Sequence, residues 1–271
     1  MARIAPERMA EESAADTLYA AFHGNTQVPP LTTSMPDLTL DEGYRIAAAI
    51  HARRLANGDR VAGRKIGFTN RSIWPIYNVD APVWGWMYDH GVQDIPGDGA
   101  IPLPALPEPR IEPEIVFGFK AAPSPDMDLT ALAGCVDWVA HGFEIVTSLY
   151  PGWRFTAPDS VAAMAMHGAL WVGPRLAPTP ERLEALTTCG ITLSGPNETL
   201  VGHGVDVLGG PLVALQYLVG QIERMPDAGP IQPGEVVTTG TLTDARPIAP
   251  GQTWTTKFDT ALVPGLSVRF T

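Results

Sequence analysis

The chain has 271 residues, 45% of them hydrophobic and 17% charged, so it can bury a sizeable core and a largely disordered chain is excluded. Its 29 acidic residues outnumber its 18 basic residues, and the net charge of −11 argues against nucleic acid or an anionic membrane as a partner. The charged N-terminus opposes a signal peptide, and no run approaches the length of about 20 apolar residues that spans a bilayer. We therefore expect a cytoplasmic protein, with Cys135 and Cys189 as reduced core residues.

Two helices are predicted in the first 58 residues. Residues 13–23 form a short helical pattern that ends before Gly24, and the Pro- and Thr-rich residues 25–38 are typical of a linker. Thr39 and Glu42 have the spacing of a capping box, and the helix that follows ends at Gly58. These patterns predict two domains, a helical N-terminal arm over residues 1–58 and a second domain over residues 59–271.

After Gly58, short apolar runs alternate with Gly and Pro, which is typical of a compact, sheet-rich α+β domain. The predicted strands cover residues 84–88, 115–119, 139–146, 168–172, 191–193, 236–239, 253–258 and 266–270. Two helices interrupt them, a weak one over residues 128–133 and a clear one that begins at Pro211.

Several common catalytic motifs are missing from the sequence. It contains no GxSxG, no HExxH, no GxxxxGK[ST] and no dinucleotide-binding glycine pattern, so serine hydrolases, P-loop enzymes and Rossmann enzymes become improbable. The six histidines are scattered, and no two have ligand spacing within one helix or strand.

Three carboxylates form the most informative pattern. Glu112 and Glu114 open a predicted strand, where residues i and i+2 project from the same face about 7 Å apart. Pro113 between them is expected at the start or edge of a strand. Glu144 lies among apolar residues and needs a cation or hydrogen-bond donors. Oxygen ligands of this kind suit Mg²⁺ or Mn²⁺, although surface or ion-paired acids would give the same pattern.

Two further segments can contact a ligand. Lys65 lies between small residues in an apolar run, where it can bind a carboxylate, act as an acid or base with a lowered pKa, or be an ordinary strand-edge lysine. Thr239, Gly240 and Thr241 follow a strand as a hydroxyl-rich turn, which can hold a carboxylate or be a plain hairpin.

In this order, the segments resemble the fumarylacetoacetate hydrolase superfamily, and most of all its branch of 2-oxopent-4-enoate hydratases and 4-oxalocrotonate-type decarboxylases. The resemblance runs from about residue 40 to the C-terminus. It rests on residues 63–69, 79–82, 85, 111–114, 143–146, 159–162, 208–212, 239–243 and 266–270.

The resemblance implies a mixed β-roll with a helical N-terminal region, assembled as a homo-oligomer that can associate with a pathway homologue. It implies that residues 59–271 form a metal-binding catalytic domain, in which Glu112, Glu114 and Glu144 bind Mg²⁺ or Mn²⁺ and Lys65 is catalytic. It also implies that the turn from Thr239 through Gly240 to Thr241 receives the carboxylate of a small 2-oxo acid.

Some residues depart from the family pattern. Val83 replaces an Asp of the hydratases, and residues 163–167 carry apolar side chains and an unexpected His167. Arg154 stands where a Lys is common, so we count Arg154 and His167 as candidate substrate contacts. A glutamate as the third acid favours hydratase or decarboxylase over the C–C hydrolase branch, which usually has an aspartate there.

The resemblance implies a metal-dependent hydratase of a short unsaturated 2-oxo acid or its dienol, in the meta-cleavage catabolism of aromatic compounds. The alternatives are a decarboxylase of a 2-oxo-3-enedioate and a C–C bond hydrolase of a diketo acid with His167 or His23 as base. A catalytically silent assembly partner is a non-enzymatic alternative, which the retention of the three glutamates and Lys65 opposes.

Overall fold

A computed structural model describes residues 6–223, 225 and 228–271. The described chain forms seven α-helices and thirteen β-strands, which confirms the predicted α+β class. The helices are α1 (Pro6–Gly24), α2 (Leu40–Ala56), α3 (Trp74–Tyr77), α4 (Leu129–Gly134), α5 (Ala157–Ala162), α6 (Pro180–Thr188) and α7 (Pro211–Glu223).

Eight of the thirteen described strands overlap the predicted apolar runs, and the other five, among them residues 61–67 and 199–203, lie outside those runs. The strands are β1 (Val61–Gly67), β2 (Val83–Tyr88), β3 (Val92–Asp94), β4 (Ala100–Ile101), β5 (Arg110–Phe119), β6 (Val136–Val146), β7 (His167–Val172), β8 (Gly190–Ser194), β9 (Thr199–His203), β10 (Val236–Thr241), β11 (Arg246–Pro247), β12 (Thr253–Phe258) and β13 (Ser267–Phe270).

The strands form two sheets. The larger sheet has the order β2-β1-β10-β5-β6-β7-β3, with β11 also pairing to β5, and the smaller sheet has the order β4-β13-β12-β8-β9. Within the larger sheet β1 runs parallel to β10 and β3 runs parallel to β7, while its other pairs are antiparallel. Strands β5 and β6 therefore lie in the interior of the larger sheet.

The interior position of β5 overturns one expectation, because Pro113 marks neither a strand start nor a sheet edge. The ladder between β5 and β10 shifts register between Thr238 and Thr241, and there the Pro113 carbonyl accepts a hydrogen bond from the Leu242 N–H at 2.9 Å. A proline fits inside a sheet at such an irregularity, because no ladder hydrogen bond needs its missing N–H.

The N-terminal helices pack against the larger sheet. The capping box is confirmed: the Thr39 hydroxyl accepts from the Glu42 N–H at 3.3 Å, and the Glu42 carboxylate accepts from the Thr39 N–H at 2.7 Å. Leu18 of α1 and Ile50 of α2 are buried in the same apolar cluster as Trp84 of β2. The helices and the sheet thus share a core, and a division at residue 58 stays a prediction.

A second, smaller apolar cluster lies between the two sheets and includes Ile111, Phe143, Leu193, Trp254 and Phe270. Strands β5 and β6 therefore lie between the two apolar clusters, and packing against both clusters fixes the position of their backbones. Both cysteines, Cys135 and Cys189, are buried and unpaired, as predicted.

One segment of the described chain, Gly204–Glu223, is long and apolar enough by length and composition to cross a membrane. Half of its most apolar stretch is buried inside the protein, and Leu215 and Leu218 of α7 belong to the core. The segment is therefore weak evidence for a membrane span, because a core helix has the same composition.

Candidate metal centre and active-site cavity

The three predicted glutamates meet at the middle of the larger sheet. Antiparallel pairing places Glu112 of β5 directly opposite Glu144 of β6, and Glu114 follows two residues further along β5. One carboxylate oxygen from each of the three residues lies within 4.8 Å of the others. Glu114 and Glu144 are fully buried, while Glu112 is partly exposed to a cavity.

The hydrogen bonds of Glu114 and Glu144 leave room for a cation. Glu114 Oε2 accepts from the Gly240 N–H at 2.8 Å, whereas Glu114 Oε1 is buried with no hydrogen-bond partner among the described residues. Glu144 Oε1 lies 3.2 Å from Lys65 Nζ and 2.9 Å from His167 Nδ1, and Glu144 Oε2 accepts from Thr238 Oγ1 at 3.3 Å. A buried carboxylate oxygen without a donor is costly, so this oxygen-only donor set fits a hard divalent cation.

The electrostatics of the cluster agree with that fit. Burial and the charge of Glu144 raise the pKa of Glu112 to about 7, and burial with both neighbouring carboxylates raises the pKa of Glu114 well above its usual value. Burial alone would also raise the pKa of Glu144, but Lys65 and His167 outweigh it and lower that pKa to about 2. Three acids at this spacing cannot all ionise without a compensating positive charge.

Lys65 supplies one positive charge from β1. The strand places Lys65 beside Thr238 of the parallel β10, and Lys65 Nζ donates to the Ala165 carbonyl at 3.1 Å as well as contacting Glu144. Burial would lower the pKa of Lys65, but the three carboxylates outweigh it and raise that pKa. The side chain is therefore an ammonium group, and the lowered pKa considered from sequence is not found.

The carbonyl that contacts Lys65 belongs to a strained turn, Met164–Met166. Three consecutive non-glycine residues there have positive φ, at 55°, 50° and 65°. Each such residue costs about 1 kcal/mol or more, so the surrounding packing must enforce the conformation. Gly85 of β2 allows the turn to approach, because a Cβ at that position would collide with the Met164 backbone.

The predicted hydroxyl-rich turn lies at the end of β10, against the same glutamates. Gly240 has φ of 104°, and a Cβ there would collide with the Thr69 side chain, so this position requires glycine. Thr239 Oγ1 donates to the Ile115 carbonyl at 3.1 Å, and Thr241 Oγ1 donates to the Thr243 carbonyl at 2.6 Å. Both hydroxyls thus fix the turn, and Gly240 and Thr241 line the cavity beside Glu112.

The cavity beside the cluster has a volume of about 370 Å³, which is within the range that holds a small organic ligand. Lys65 and Glu112 line its inner end. Its walls combine apolar and aromatic side chains, which include Val83, Met166, Tyr77, Trp153 and Phe155, with polar and acidic ones such as Asn70, Asp206 and Asp244. Three of the departures noted in the sequence, Val83, Ala165 and Met166, therefore line the space that a ligand would occupy.

Two predicted substrate contacts lie elsewhere. Arg154 is exposed and lines a neighbouring cavity with Thr156. His167 is 8% exposed and lies behind Glu144, where it lines a separate cavity near Gly91. The assignment of both residues as substrate contacts stays a prediction.

Sequence reasoning missed three groups that complete the site: the Thr238 hydroxyl, the Ala165 carbonyl and the Arg110 guanidinium. Thr238 directly precedes the hydroxyl-rich turn, and Arg110 lies two residues before Glu112. Their places in the sequence could therefore have identified both as candidate site residues. The Ala165 carbonyl depends on positive φ values in a run of Ala and Met, for which the sequence offers no signal.

No family model matches the chain, but individual known proteins do. The 2-keto-4-pentenoate hydratase of Paraburkholderia xenovorans is 33% identical over 237 residues, which cover 85% of this chain and 84% of the relative. The 4-oxalocrotonate decarboxylase of Pseudomonas sp. strain CF600 is 28% identical over 218 residues, covering 80% of each chain.

Solved structures agree with these relatives. The 4-oxalocrotonate decarboxylase from Pseudomonas putida G7, complexed with magnesium and adipate, superposes with a TM-score of 0.88 at 26% identity. That match covers 97% of this chain and 98% of the other. The fumarylpyruvate hydrolase from Pseudomonas aeruginosa, in complex with Mn²⁺ and pyruvate, shares the fold with a TM-score of 0.57 at 15% identity, over 77% of this chain and 88% of that one.

The chain shares its fold with solved proteins of the fumarylacetoacetate hydrolase type, in agreement with the resemblance found in the sequence. The chain belongs to the family of 2-keto-4-pentenoate hydratases and 4-oxalocrotonate decarboxylases. It is an enzyme of the hydratase or decarboxylase type.

Proposed function

We propose that the chain is a divalent-metal-dependent lyase that acts on a short unsaturated 2-oxo acid or its dienol, as a hydratase of the 2-oxopent-4-enoate type. The observation that carries the proposal is Glu114 Oε1, a buried carboxylate oxygen without a donor, in a three-glutamate cluster beside a ligand-sized cavity. The hydratase relatives that cover 85% of the chain support it.

Glu112, Glu114 and Glu144 would hold the cation, for which we propose Mg²⁺ or Mn²⁺. When bound, such a cation polarises the 2-oxo group and stabilises the negative charge that develops on its oxygen. A magnesium ion in one structural neighbour and Mn²⁺ in another support this choice.

The chain's own groups divide the remaining work. The Lys65 ammonium is fixed by Glu144 and the Ala165 carbonyl at the inner end of the cavity, where it can bind an anionic oxygen and donate a proton. The Glu112 side chain also reaches the cavity, and as a ligand of the cation its carboxylate would be held in the ionised form. The apolar residues of the wall, such as Val83 and Met166, would contact the carbon chain of the substrate.

Decarboxylation of a 2-oxo-3-enedioate is the second candidate, because the cavity wall carries the apolar Val83 and the whole chain superposes on a 4-oxalocrotonate decarboxylase with a TM-score of 0.88. Both reactions pass through charge on the same 2-oxo oxygen, so one metal site can serve either. We also propose that the protein is a cytoplasmic homo-oligomer that can associate with a pathway homologue in the meta-cleavage catabolism of aromatic compounds.

A spectrophotometric assay with products identified by mass tests these proposals. The substrates are 2-hydroxypenta-2,4-dienoate and 2-oxohex-3-enedioate, each with Mg²⁺, with Mn²⁺ and with EDTA. Metal-dependent gain of water by the first substrate is the expected result, and loss of CO₂ from the second would establish the decarboxylase instead. Absence of metal-dependent turnover on both substrates would contradict the proposed function.

A further inference from the structure

His167 departs from the family pattern, and its side chain contacts the glutamate cluster. It is the first residue of β7, and strand pairing places it opposite Val146, two residues beyond Glu144 on β6. His167 Nδ1 lies 2.9 Å from Glu144 Oε1, and both side chains are buried. The imidazole is therefore a buried partner of one of the three proposed cation ligands.

The hydrogen bond between His167 and Glu144 has a defined direction. A carboxylate that binds a cation can only accept a hydrogen bond, so His167 Nδ1 carries the hydrogen and donates it. His167 Nε2 is buried without a hydrogen-bond partner in the described part of the chain. It faces Gly91, because a Cβ built at Gly91 would lie 3.8 Å from it. The contact with Glu144 thus orients the ring, while the other ring nitrogen points away from the cluster.

The two donors to Glu144 Oε1 differ in their freedom. Lys65 Nζ lies 3.2 Å from this oxygen, at the end of a flexible side chain whose ammonium can also turn toward a substrate oxygen. The imidazole of His167 is a planar ring on the first residue of a strand, so it keeps one orientation. The Ala165 carbonyl that accepts from Lys65 lies two residues before His167. One short segment of backbone therefore supports both partners of Glu144.

We propose that His167 is a positioning residue, whose Nδ1–H fixes the Glu144 carboxylate for the cation and thereby sets the cation affinity. The inference rests on the proposed function and deepens it. Removal of a group that hydrogen-bonds to a metal ligand typically weakens metal binding by about 10- to 100-fold. This role differs from the substrate contact predicted from sequence, because His167 acts through Glu144 and does not line the active-site cavity beside Glu112.

Calorimetric titration of the metal-free protein with Mg²⁺ tests the inference on two variants of matched size. His167→Leu removes the donor, whereas His167→Asn has a side chain of similar shape and keeps an N–H close to the position of Nδ1. We expect His167→Leu to raise the dissociation constant for Mg²⁺ at least about tenfold, and His167→Asn to stay within about threefold of the unsubstituted protein. His90→Leu, which removes a histidine with a 61% exposed side chain, should leave the constant unchanged.

Two further measurements distinguish positioning from packing and from substrate contact. Nitrogen NMR of the isotopically labelled, unsubstituted protein should show a hydrogen on His167 Nδ1, and this result does not depend on the folding of any variant. At saturating Mg²⁺, the KM of His167→Leu for the substrate should stay within about threefold of the unsubstituted value, because the loss lies in cation binding.

The outcomes separate the inference from the proposed function. Equal Mg²⁺ affinities of the unsubstituted protein and His167→Leu, or a ring without hydrogen on Nδ1, would overturn the positioning role and leave the proposed function standing. Equal losses in His167→Leu and His167→Asn would indicate packing, and a raised KM with unchanged Mg²⁺ affinity would indicate substrate contact; both would overturn the inference. Failure of the unsubstituted protein to bind either Mg²⁺ or Mn²⁺ would overturn the proposed function, and the inference with it.

Discussion

The two carboxylate oxygens of Glu114 have different surroundings, and this difference supports the proposal that Glu114 binds the cation. Oε2 accepts from the Gly240 N–H, which holds the side chain, and the buried Oε1 has no donor among the described residues. Glu114→Gln keeps the shape and removes the charge. We expect the affinity for Mg²⁺ to fall at least about 100-fold, with turnover falling in parallel, in a calorimetric titration paired with an activity assay.

The matched control is Glu198→Gln, which removes a surface carboxylate that pairs with Arg246 outside the cluster. This variant should bind Mg²⁺ as the unsubstituted protein does. Full activity of a metal-stripped Glu114→Gln or Glu144→Gln protein would refute the ligand assignment.

Lys65 is predicted to act on the substrate rather than on the cation. Lys65→Met should lower turnover at saturating Mg²⁺ by about 100-fold, because the cavity loses its inner cationic donor. Cation affinity should stay equal or increase, because an ammonium group 3.2 Å from Glu144 is removed. Turnover and Mg²⁺ titration measure the two effects, and the exposed Lys257→Met is the control. Loss of cation binding in Lys65→Met would mean that Lys65 supports the ligands instead.

At the scale of elements, the contact between β2 and the Met164–Met166 turn positions Lys65. Gly85→Ala should destabilise the protein by about 2 kcal/mol or more, because the new Cβ collides with the Met164 backbone. Turnover should also fall, because the collision moves the Ala165 carbonyl that contacts Lys65. Gly220→Ala in α7 meets no atom within 4 Å and should instead stabilise by up to about 1 kcal/mol. Denaturant unfolding compares the two variants, and equal effects would contradict this account.

The elements also show what a sequence can predict. Strand positions followed from apolar runs bounded by Gly and Pro, and the shared face of Glu112 and Glu114 followed from the two-residue period of a strand. The capping box at Thr39 predicted the start of α2. These features depend on neighbours in sequence, so local patterns were sufficient.

Other features depend on contacts that sequence patterns do not encode. The pairing of Glu112 with Glu144 is a matter of strand register between β5 and β6. Arg154 follows Gly152 and Trp153, both with positive φ, and this turn directs the chain toward a neighbouring cavity. The register shift at Val146 places His167 behind Glu144. The parts of the site that residue patterns did not predict therefore depend on the register between strands that are distant in sequence and on turns with positive φ.

For the molecule as a whole, folding brings three carboxylates together in an acidic protein of net charge −11. Burial of Glu114 and Glu144 removes water that would otherwise screen their repulsion. Lys65 offsets part of this cost, and a bound cation offsets more of it. Because a cation at this cluster would bind the folded chain and not the unfolded one, its binding free energy would add to the stability of the whole protein.

This linkage predicts a pH dependence. Glu112, with a pKa raised to about 7, and Glu114, with a pKa raised further, bind protons more tightly in the folded than in the unfolded chain. Their contribution to stability is fully present below the unfolded pKa and is lost as pH rises through the folded pKa. The lowered pKa of Glu144, about 2, changes nothing in this window. The metal-free protein should therefore melt at a lower temperature at about pH 8 than at about pH 6.

A cation binds ionised carboxylates, so Mg²⁺ should raise the melting temperature more at about pH 8 than at about pH 6. The affinity for Mg²⁺ should rise with pH, by up to about tenfold per pH unit for each proton that the cation displaces. Thermal unfolding by calorimetry with Mg²⁺ and with EDTA measures both effects. Glu112→Gln removes one titrating group and should flatten the profile of the metal-free protein between these pH values. An Mg²⁺-induced increase that is the same at both pH values would show that the raised pKa values of Glu112 and Glu114 are not linked to cation binding.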